Sequence, residues 1–345
     1  MTSVAEAYEI CRRITRKHGG NFSVGFRFLP PQKQHAVHAA YAYCRIADDI
    51  ADEPGPVILS PEEGEGSPGA GGTAAHLPGD SSPSARLRMT RLDAWQHELD
   101  LTYAGKPTHD VTIALADALQ HFAIPKSAFI ALLDGCRQDM VKTRYETFDE
   151  LLHYCDLVAT SISDISLAIF GYKTDAALAY GRNLSTALQL TNVTRDIGDD
   201  LQRDRVYLPQ EELRRFGVSE RELFEGSGHG PLRLSAKPSR GSASSPTLAR
   251  ATTSGNVLSS ENERVQALIE FQIARAEQYF RDAEPLLKEL SFDARFPVLL
   301  MGGVYATVLA KLRKDPLAAV RERLRLTSLQ KMLVVGRRVL RPHFV

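Results

Sequence analysis

An all-α fold, a bundle of packed helices, is what this sequence predicts, and three observations lead there. Apolar residues recur at spacings of three and four over several long stretches. One of these stretches opens at Pro30 and Pro31, residues suited to a helix start. Runs of alternating β-branched residues are scarce. Helices of this kind bury their apolar stripes against one another.

The elements follow in order. Residues 32–52 carry Ala36, Ala39, Ala40, Tyr43, Ile46 and Ala47 on one stripe. Residues 127–142, 148–170, 174–201, 260–290 and 293–314 behave the same way. Two stretches break the pattern, 54–86 and 225–259, both rich in Gly, Pro and Ser. They lack the apolar density needed to fold and are expected to be flexible insertions. Each comes soon after an acidic segment, so both are expected at the mouth of a site within a single domain, 1–345.

Composition narrows the function. The 345 residues are 43% apolar, enough for a large core. Lys plus Arg and Asp plus Glu both number 42, and this balance argues against nucleic acid as a partner. Cys11, Cys44, Cys136 and Cys155 form no C-x-x-C pair and sit in apolar runs. Buried free thiols in a reducing cytoplasm are therefore expected. The polar, amphipathic stretch 1–18 reads as no secretory signal, and no run of about 18 apolar residues predicts a membrane span.

Two acidic motifs carry the chemistry. In the first, Asp48-Asp49-Ile50-Ala51-Asp52-Glu53, Asp48 and Asp52 stand at i and i+4 on one helical face. Like charges at that spacing repel, and a divalent cation between them would relieve the repulsion. In the second, Asp196-Ile197-Gly198-Asp199-Asp200, Asp196 and Asp200 repeat the spacing. Gln189 and Asn192 precede Asp196 by seven and four positions and share its face. Arg45 lies one turn before Asp48, Arg195 directly before Asp196, and Arg203, Arg205 and Tyr207 follow. Carboxylates for a metal beside guanidinium groups for phosphate suit a diphosphate–metal cluster. A solvated charged face is the plain alternative for either motif alone; two such motifs in apolar helices, each beside an arginine, weigh against it.

At these residues the sequence resembles the squalene/phytoene synthase family, the head-to-head prenyl transferases. The strongest blocks are 41–53 (YAYCRIADDIADE) and 189–209 (QLTNVTRDIGDDLQRDRVYLP), supported by 142–155 (KTRYETFDELLHYC) and 17–30 (KHGGNFSVGFRFLP). The resemblance implies an isoprenoid-synthase helical bundle with a central cavity. It implies Mg²⁺, or Mn²⁺, held by Asp48, Asp52, Asp196 and Asp200, and two identical prenyl diphosphates as substrates. Diphosphate contacts would fall to Arg45, Arg195, Arg205 and Lys17. Gln189 and Asn192 match polar positions on the second acidic helix, and Tyr41, Tyr154 and Tyr305 match aromatic cavity positions. Phe22 matches an aromatic that stabilises cations through its face, and Arg323 matches a C-terminal arginine at a looser spacing.

The expected reaction has two ionisations, with Asp48, Asp52, Asp196, Asp200, Tyr41 and Arg45 as its catalytic set. The resemblance is nearest to bacterial phytoene synthases, which join two geranylgeranyl diphosphates. The alternative is a squalene-branch enzyme acting on farnesyl diphosphate, giving squalene, presqualene diphosphate or hydroxysqualene; NADPH is expected only if the product is squalene. Two departures bear on chain length. Gly19 and Asn21 stand where the family often has small hydroxyl residues. Val158–Ser163 reads VATSIS, so that Thr160 and Ser163 replace cavity-wall glycines. Finally, the basic amphipathic tail 321–342, with Arg337 and Arg338, is expected to pack on the bundle, with a peripheral membrane contact as the sharper reading.

Overall fold

A computed structural model describes residues 2–19, 25–52, 83–227 and 254–321, with Leu324, Leu326, Thr327, Gln330, Leu333, Val334, His343 and Phe344 beyond them. Its helices are α1 (Val4–His18), α2 (Pro31–Asp52), α3 (Pro83–Tyr103), α4 (Asp110–Leu119) and α5 (Lys126–Asp139). Next come α6 (Phe148–Cys155), a π-helical turn (Asp156–Thr160) and α7 (Ser161–Phe170). Then follow α8 (Ala176–Arg195), α9 (Ile197–Leu201), α10 (Gln210–Phe216) and α11 (Glu220–Gly226). The last are α12 (Ser254–Ala283), α13 (Leu286–Glu289), α14 (Phe292–Lys314) and α15 (Ala318–Arg321). Among the described residues there is no strand, only two isolated bridges, Arg144 with Val206 and Tyr172 with Leu290. The expected all-α architecture is what forms.

Local chemistry explains some of the helix ends. Ser3 and Glu6 close a capping box on α1, with Ser3 N–H donating to Glu6 Oε2 at 2.8 Å. This helix and α3, α4, α10, α11 and α15 were not among the expected elements. The expected insertions lie largely outside the described residues. Residues 83–86 open α3, 225–226 close α11 and 254–259 open α12, so those ends of the two stretches are helical. Most of the tail 321–342 also lies outside the described residues.

Two expected helices are interrupted. The stretch 148–170 runs through a π turn, where Ser161 N–H reaches Asp156 O. Such a turn bulges the helix at one point. It presses on α5, where a Cβ on Gly135 would lie 2.5 Å from Val158 Cγ1. The stretch 174–201 breaks at Asp196, whose φ of −101° and ψ of 12° end α8 and start α9. Asp200 N–H still donates to Asp196 O at 2.8 Å, so the helical spacing of the two aspartates survives the bend.

The core joins α2, α8, α12 and α14 to a layer of α3, α4 and α5. Tyr43 of α2, fully buried, stacks on Trp95 of α3 at 4.8 Å and meets Phe129 of α5 edge-on at 5.1 Å. Its hydroxyl donates to Trp95 O, and Trp95 Nε1 donates to Tyr43 O, each at 3.2 Å. Lys33 pins α2 to two other helices. Its Nζ donates to Phe170 O at the end of α7, at 2.6 Å, and pairs with Asp293 of α14 at 2.7 Å. By length and composition α14 is apolar enough to cross a membrane, which the reading of 293–314 did not anticipate, but most of it is buried in this core.

The segment that carries the second acidic motif is seated against α15. A Cβ on Gly198 would fall 2.4 Å from Val320 O, a backbone atom that cannot step aside. Gly198→Ala is therefore expected to destabilise the protein by about 1–3 kcal/mol through overpacking. Urea denaturation of the purified variant checks this.

Candidate active site

Helices α2, α7, α8 and α14 enclose a cavity of about 250 Å³. Three of them present a matching gradient along their length. From α2 it receives Val37 and Ala40, then Tyr41, Arg45 and Asp48. From α8 come Gly181, Leu184 and Leu188, then Gln189 and Asn192. From α14 come Pro297, Val298 and Met301, then Tyr305. The charged and amide groups thus gather at one end, while Phe26, Ile169, Phe170 and Leu286 line the remainder together with the hydroxyl residues Ser163, Ser166 and Ser185. Helical periodicity sets this order: residues three or four apart share a face.

The polar end is incompletely satisfied. Arg45 pairs with Asp49 through Nη2, while its Nε is buried without a hydrogen-bond partner. Asn192 Nδ2 donates to Gln189 Oε1 at 3.3 Å, and its Oδ1 is likewise buried without a partner. One orphan donor and one orphan acceptor thus belong to residues that line the same cavity, and buried polar groups are ordinarily paired. Burial pushes the Asp48 carboxyl up to about 7, with Asp52 and Asp49 adding to the shift and Arg45 opposing it. Cys136 Sγ donates to Asp48 Oδ1 at 3.6 Å. Burial also raises the Tyr41 phenol to about 12.

The second motif joins from the opposite wall. The bend at Asp196 lets Arg195 turn back on its neighbour, Nε donating to Asp196 Oδ1 at 2.7 Å. Burial raises the Tyr305 phenol, and the Arg195 charge beside it acts in the opposite direction. Burial, reinforced by Asp196, pushes Asp200 up to about 7 against the pull of Arg205 and Arg203.

The two motifs meet around a residue that the sequence reading missed, Asp139 at the end of α5. Its Oδ2 accepts from Tyr154 at 2.7 Å and its Oδ1 from Tyr207 at 2.9 Å. Its backbone oxygen accepts from Arg205 Nη2 at 3.0 Å. The Asp52 charge reaches Asp139, and Asp139 in turn reaches Asp200. Arg205 feels both Asp139 and Asp52. Its loop is clamped from outside. Asp204 holds a left-handed φ of 54°, and Arg144 bonds its carboxylate at 2.7 Å and Glu220 at 2.8 Å. Val206 N–H donates to Thr143 O at 2.9 Å.

Of the expected site residues, Tyr41, Arg45, Asp48, Gln189, Asn192 and Tyr305 line the cavity, and Arg195 with Asp196 joins them through Tyr305. Asp52, Asp200, Arg205 and Tyr154 gather instead at Asp139. Tyr154 is therefore not a cavity wall: the π turn that follows it separates its ring from the α7 face that lines the cavity. Thr160 also turns aside, bonding Asp156 at 3.1 Å and Ser185 at 3.3 Å, whereas Ser163 does line the cavity. Lys17 is exposed in the last turn of α1, and no contact brings it to the cavity. Phe22 and Arg323 lie outside the described residues. Among the described residues no three His, Cys, Asp or Glu side chains are already gathered in a metal-holding cluster.

The raised carboxyls set a pH dependence. Between about 4 and about 7 the native protein retains protons on Asp48 and Asp200 that the unfolded chain has released, so stability falls as pH rises through this window and levels off above it. Thermal midpoints of chelator-treated protein should decline from about pH 5 to about pH 7, and Asp48→Asn should flatten the slope.

The profile of the squalene/phytoene synthase family matches residues 15–238 and 247–330. The chain is 29% identical over 348 residues to the 15-cis-phytoene synthase of Synechococcus elongatus, covering 96% of this chain and 92% of that protein. It is 31% identical over 336 residues to the phytoene synthase of Mycobacterium tuberculosis, covering 97% and 91%. Among solved structures it is similar to a ligand-bound dehydrosqualene synthase, with TM-score 0.72, 22% identity and coverage of 99% and 98%. A squalene synthase of Alicyclobacillus acidocaldarius gives TM-score 0.67, 26% identity and coverage of 90% and 95%.

Proposed function

The chain belongs to the squalene/phytoene synthase family, and from that premise we propose that it is a prenyl transferase joining two geranylgeranyl diphosphates head to head into phytoene. One observation carries the reading: an apolar cavity ends in a polar mouth where a buried arginine donor and a buried amide acceptor are both unpaired.

The donor set fits Mg²⁺ or Mn²⁺. Carboxylates come from both α2 and the α8–α9 bend, and a hard cation of this kind takes one or two carboxylates and completes its shell with phosphate oxygens. Asp48, Asp52, Asp196 and Asp200 would hold it, and when bound it would supply Lewis-acid stabilisation of the diphosphate leaving group. Arg45, Arg195 and Arg205 offset further negative charge as the allylic carbon–oxygen bond breaks. The apolar walls of α2, α8 and α14 keep water from the resulting cation. The 2,3 double bond of the second prenyl chain attacks that cation, and proton loss closes a cyclopropylcarbinyl diphosphate. The released diphosphate accepts the proton. A second ionisation and rearrangement then give a 1-1′ linked cation, which loses a second proton to diphosphate to become the neutral hydrocarbon. Tyr41 and Tyr305 border the reacting end, where ring faces favour cations.

A second reading, farnesyl diphosphate as substrate on the squalene branch, is favoured by the wall at Gly181. Even a Cβ there would lie 2.6 Å from Leu167 Cδ1 and 2.7 Å from Ser163 Oγ, so this part of the wall is already full. NADPH would enter only with squalene as product. All four cysteines are free and buried, which supports a reducing, cytoplasmic setting. A peripheral membrane contact would suit a hydrocarbon product.

Purified protein with Mg²⁺ and either geranylgeranyl or farnesyl diphosphate, with and without NADPH, separates these readings by lipid analysis. A C40 hydrocarbon formed without NADPH is the expected result. A C30 product would favour the second reading, and linear elongated diphosphates alone would overturn head-to-head joining. Asp48→Asn and Asp196→Asn should each lower turnover by at least about a hundredfold while circular dichroism shows unchanged helix content. Normal activity in both would remove the metal assignment.

A further inference from the structure

Asp139 stands outside both acidic motifs, yet three groups of the mouth are tied to it. The phenols of Tyr154 and Tyr207 occupy one carboxylate oxygen each, at 2.7 and 2.9 Å, and Arg205 occupies its backbone oxygen at 3.0 Å. These partners come from two separate segments, the end of α6 and the loop after α9. The Tyr154 and Tyr207 rings lie 5.4 Å apart at an interplanar angle of 28°, and Tyr145 stacks on Tyr207 at 5.7 Å and 21°. The rings therefore fix the planes, and the carboxylate fixes the hydroxyls.

We propose that Asp139 is the positioning residue of the diphosphate grip, fixing Tyr154, Tyr207 and Arg205 so that the guanidinium is presented between the two aspartate motifs. The inference rests on the diphosphate reading of the site. A carboxylate beside Asp52 and Asp200 adds like charge to a crowded place, so scaffolding alone does not account for it. What distinguishes it from a neutral amide is the ability to accept from two phenols at once. An asparagine would accept one, and its Nδ2 would present a donor to the other. Arg205 has no carboxylate partner of its own within bonding distance among the described residues, and its Nη2 is held by a backbone carbonyl. Its charge is thus kept in place by geometry rather than neutralised by an ion pair, and it stays available to an incoming anion. Asp139 acts on the substrate through these three groups and does not touch it.

The test titrates inorganic pyrophosphate with Mg²⁺ into the full-length protein by calorimetry. Asp139→Asn is expected to bind about tenfold more weakly than the wild type, with its thermal midpoint preserved. Tyr207→Phe, which keeps the stacked rings and removes one hydrogen bond, is expected to bind about threefold more weakly. Combining the two should cost little more than Asp139→Asn alone, because both act through one network. Wild-type affinity in Asp139→Asn or in Tyr207→Phe overturns the inference and leaves the diphosphate reading intact. A loss of binding in Asp139→Asn that only tracks a loss of folding, with Tyr207→Phe at wild-type affinity, also overturns it. Failure of the wild-type protein to bind pyrophosphate with Mg²⁺ removes the diphosphate reading and the inference together.

Discussion

Carboxylates that repel one another are held at and beside the polar end of an apolar cavity, Asp48 lining it and Asp52 and Asp200 gathered at Asp139, and the rest of the fold is organised around containing that repulsion. Asp48 and Asp52 come from α2, Asp196 and Asp200 from the α8–α9 bend, and Asp139 from α5. Burial raises the proton affinity of Asp48, Asp139 and Asp200 alike. Such a cluster persists in a folded protein only if the surrounding helices are fixed by interactions elsewhere. The Tyr43–Trp95–Phe129 stack and the Lys33 pin supply part of that fixation well away from the mouth. The guanidinium groups of Arg45, Arg195 and Arg205 temper the repulsion locally without cancelling it.

The cavity and its mouth ask for opposite properties from the same helices. The walls must be apolar over most of their length and polar over the last turns. The residues of α2, α8 and α14 meet both demands by changing character along one face. The π turn between α6 and α7 serves the same division: Tyr154 before it serves the acidic mouth, and Ile162, Ser163 and Ser166 beyond it serve the wall. Close packing at Gly135, Gly181 and Gly198 leaves these surfaces little room to shift.

Much of this was legible in the sequence because it is local. The i, i+4 pairs Asp48–Asp52 and Asp196–Asp200 and the polar face of Gln189 and Asn192 depend only on helical periodicity, and the structure keeps all of them. The Ser3–Glu6 capping box was also present as a signal for α1, although the segment is too polar to stand out as core-forming. Leu92, Trp95 and Leu99 of α3 follow helical spacing, but they lie next to a Gly- and Pro-rich stretch that masked them. Asp139 carried no such signal. It is a single acidic residue at a helix end, and its meaning comes from Tyr154, Arg205 and Tyr207, separated from it by 15, 66 and 68 positions. Tyr154 was assigned to the wall through the family resemblance alone, and the fold places its hydroxyl on Asp139, ahead of the π turn.

The direction of the helices has an electrostatic consequence of its own. Helix α2 ends on Asp52 and α8 is capped at its C-terminus by Asp196. Aligned peptide dipoles place partial negative charge at such ends. The backbone therefore adds to the carboxylate field, in contrast to the many sites where a helix N-terminus welcomes a phosphate. A bare diphosphate approaching this mouth meets a potential of its own sign, relieved only at the guanidinium groups. An anion accompanied by its counter-cations meets an attractive one. On the proposed reading, the architecture would favour a substrate that arrives already charge-compensated, and the cation would be a condition of entry as well as of chemistry.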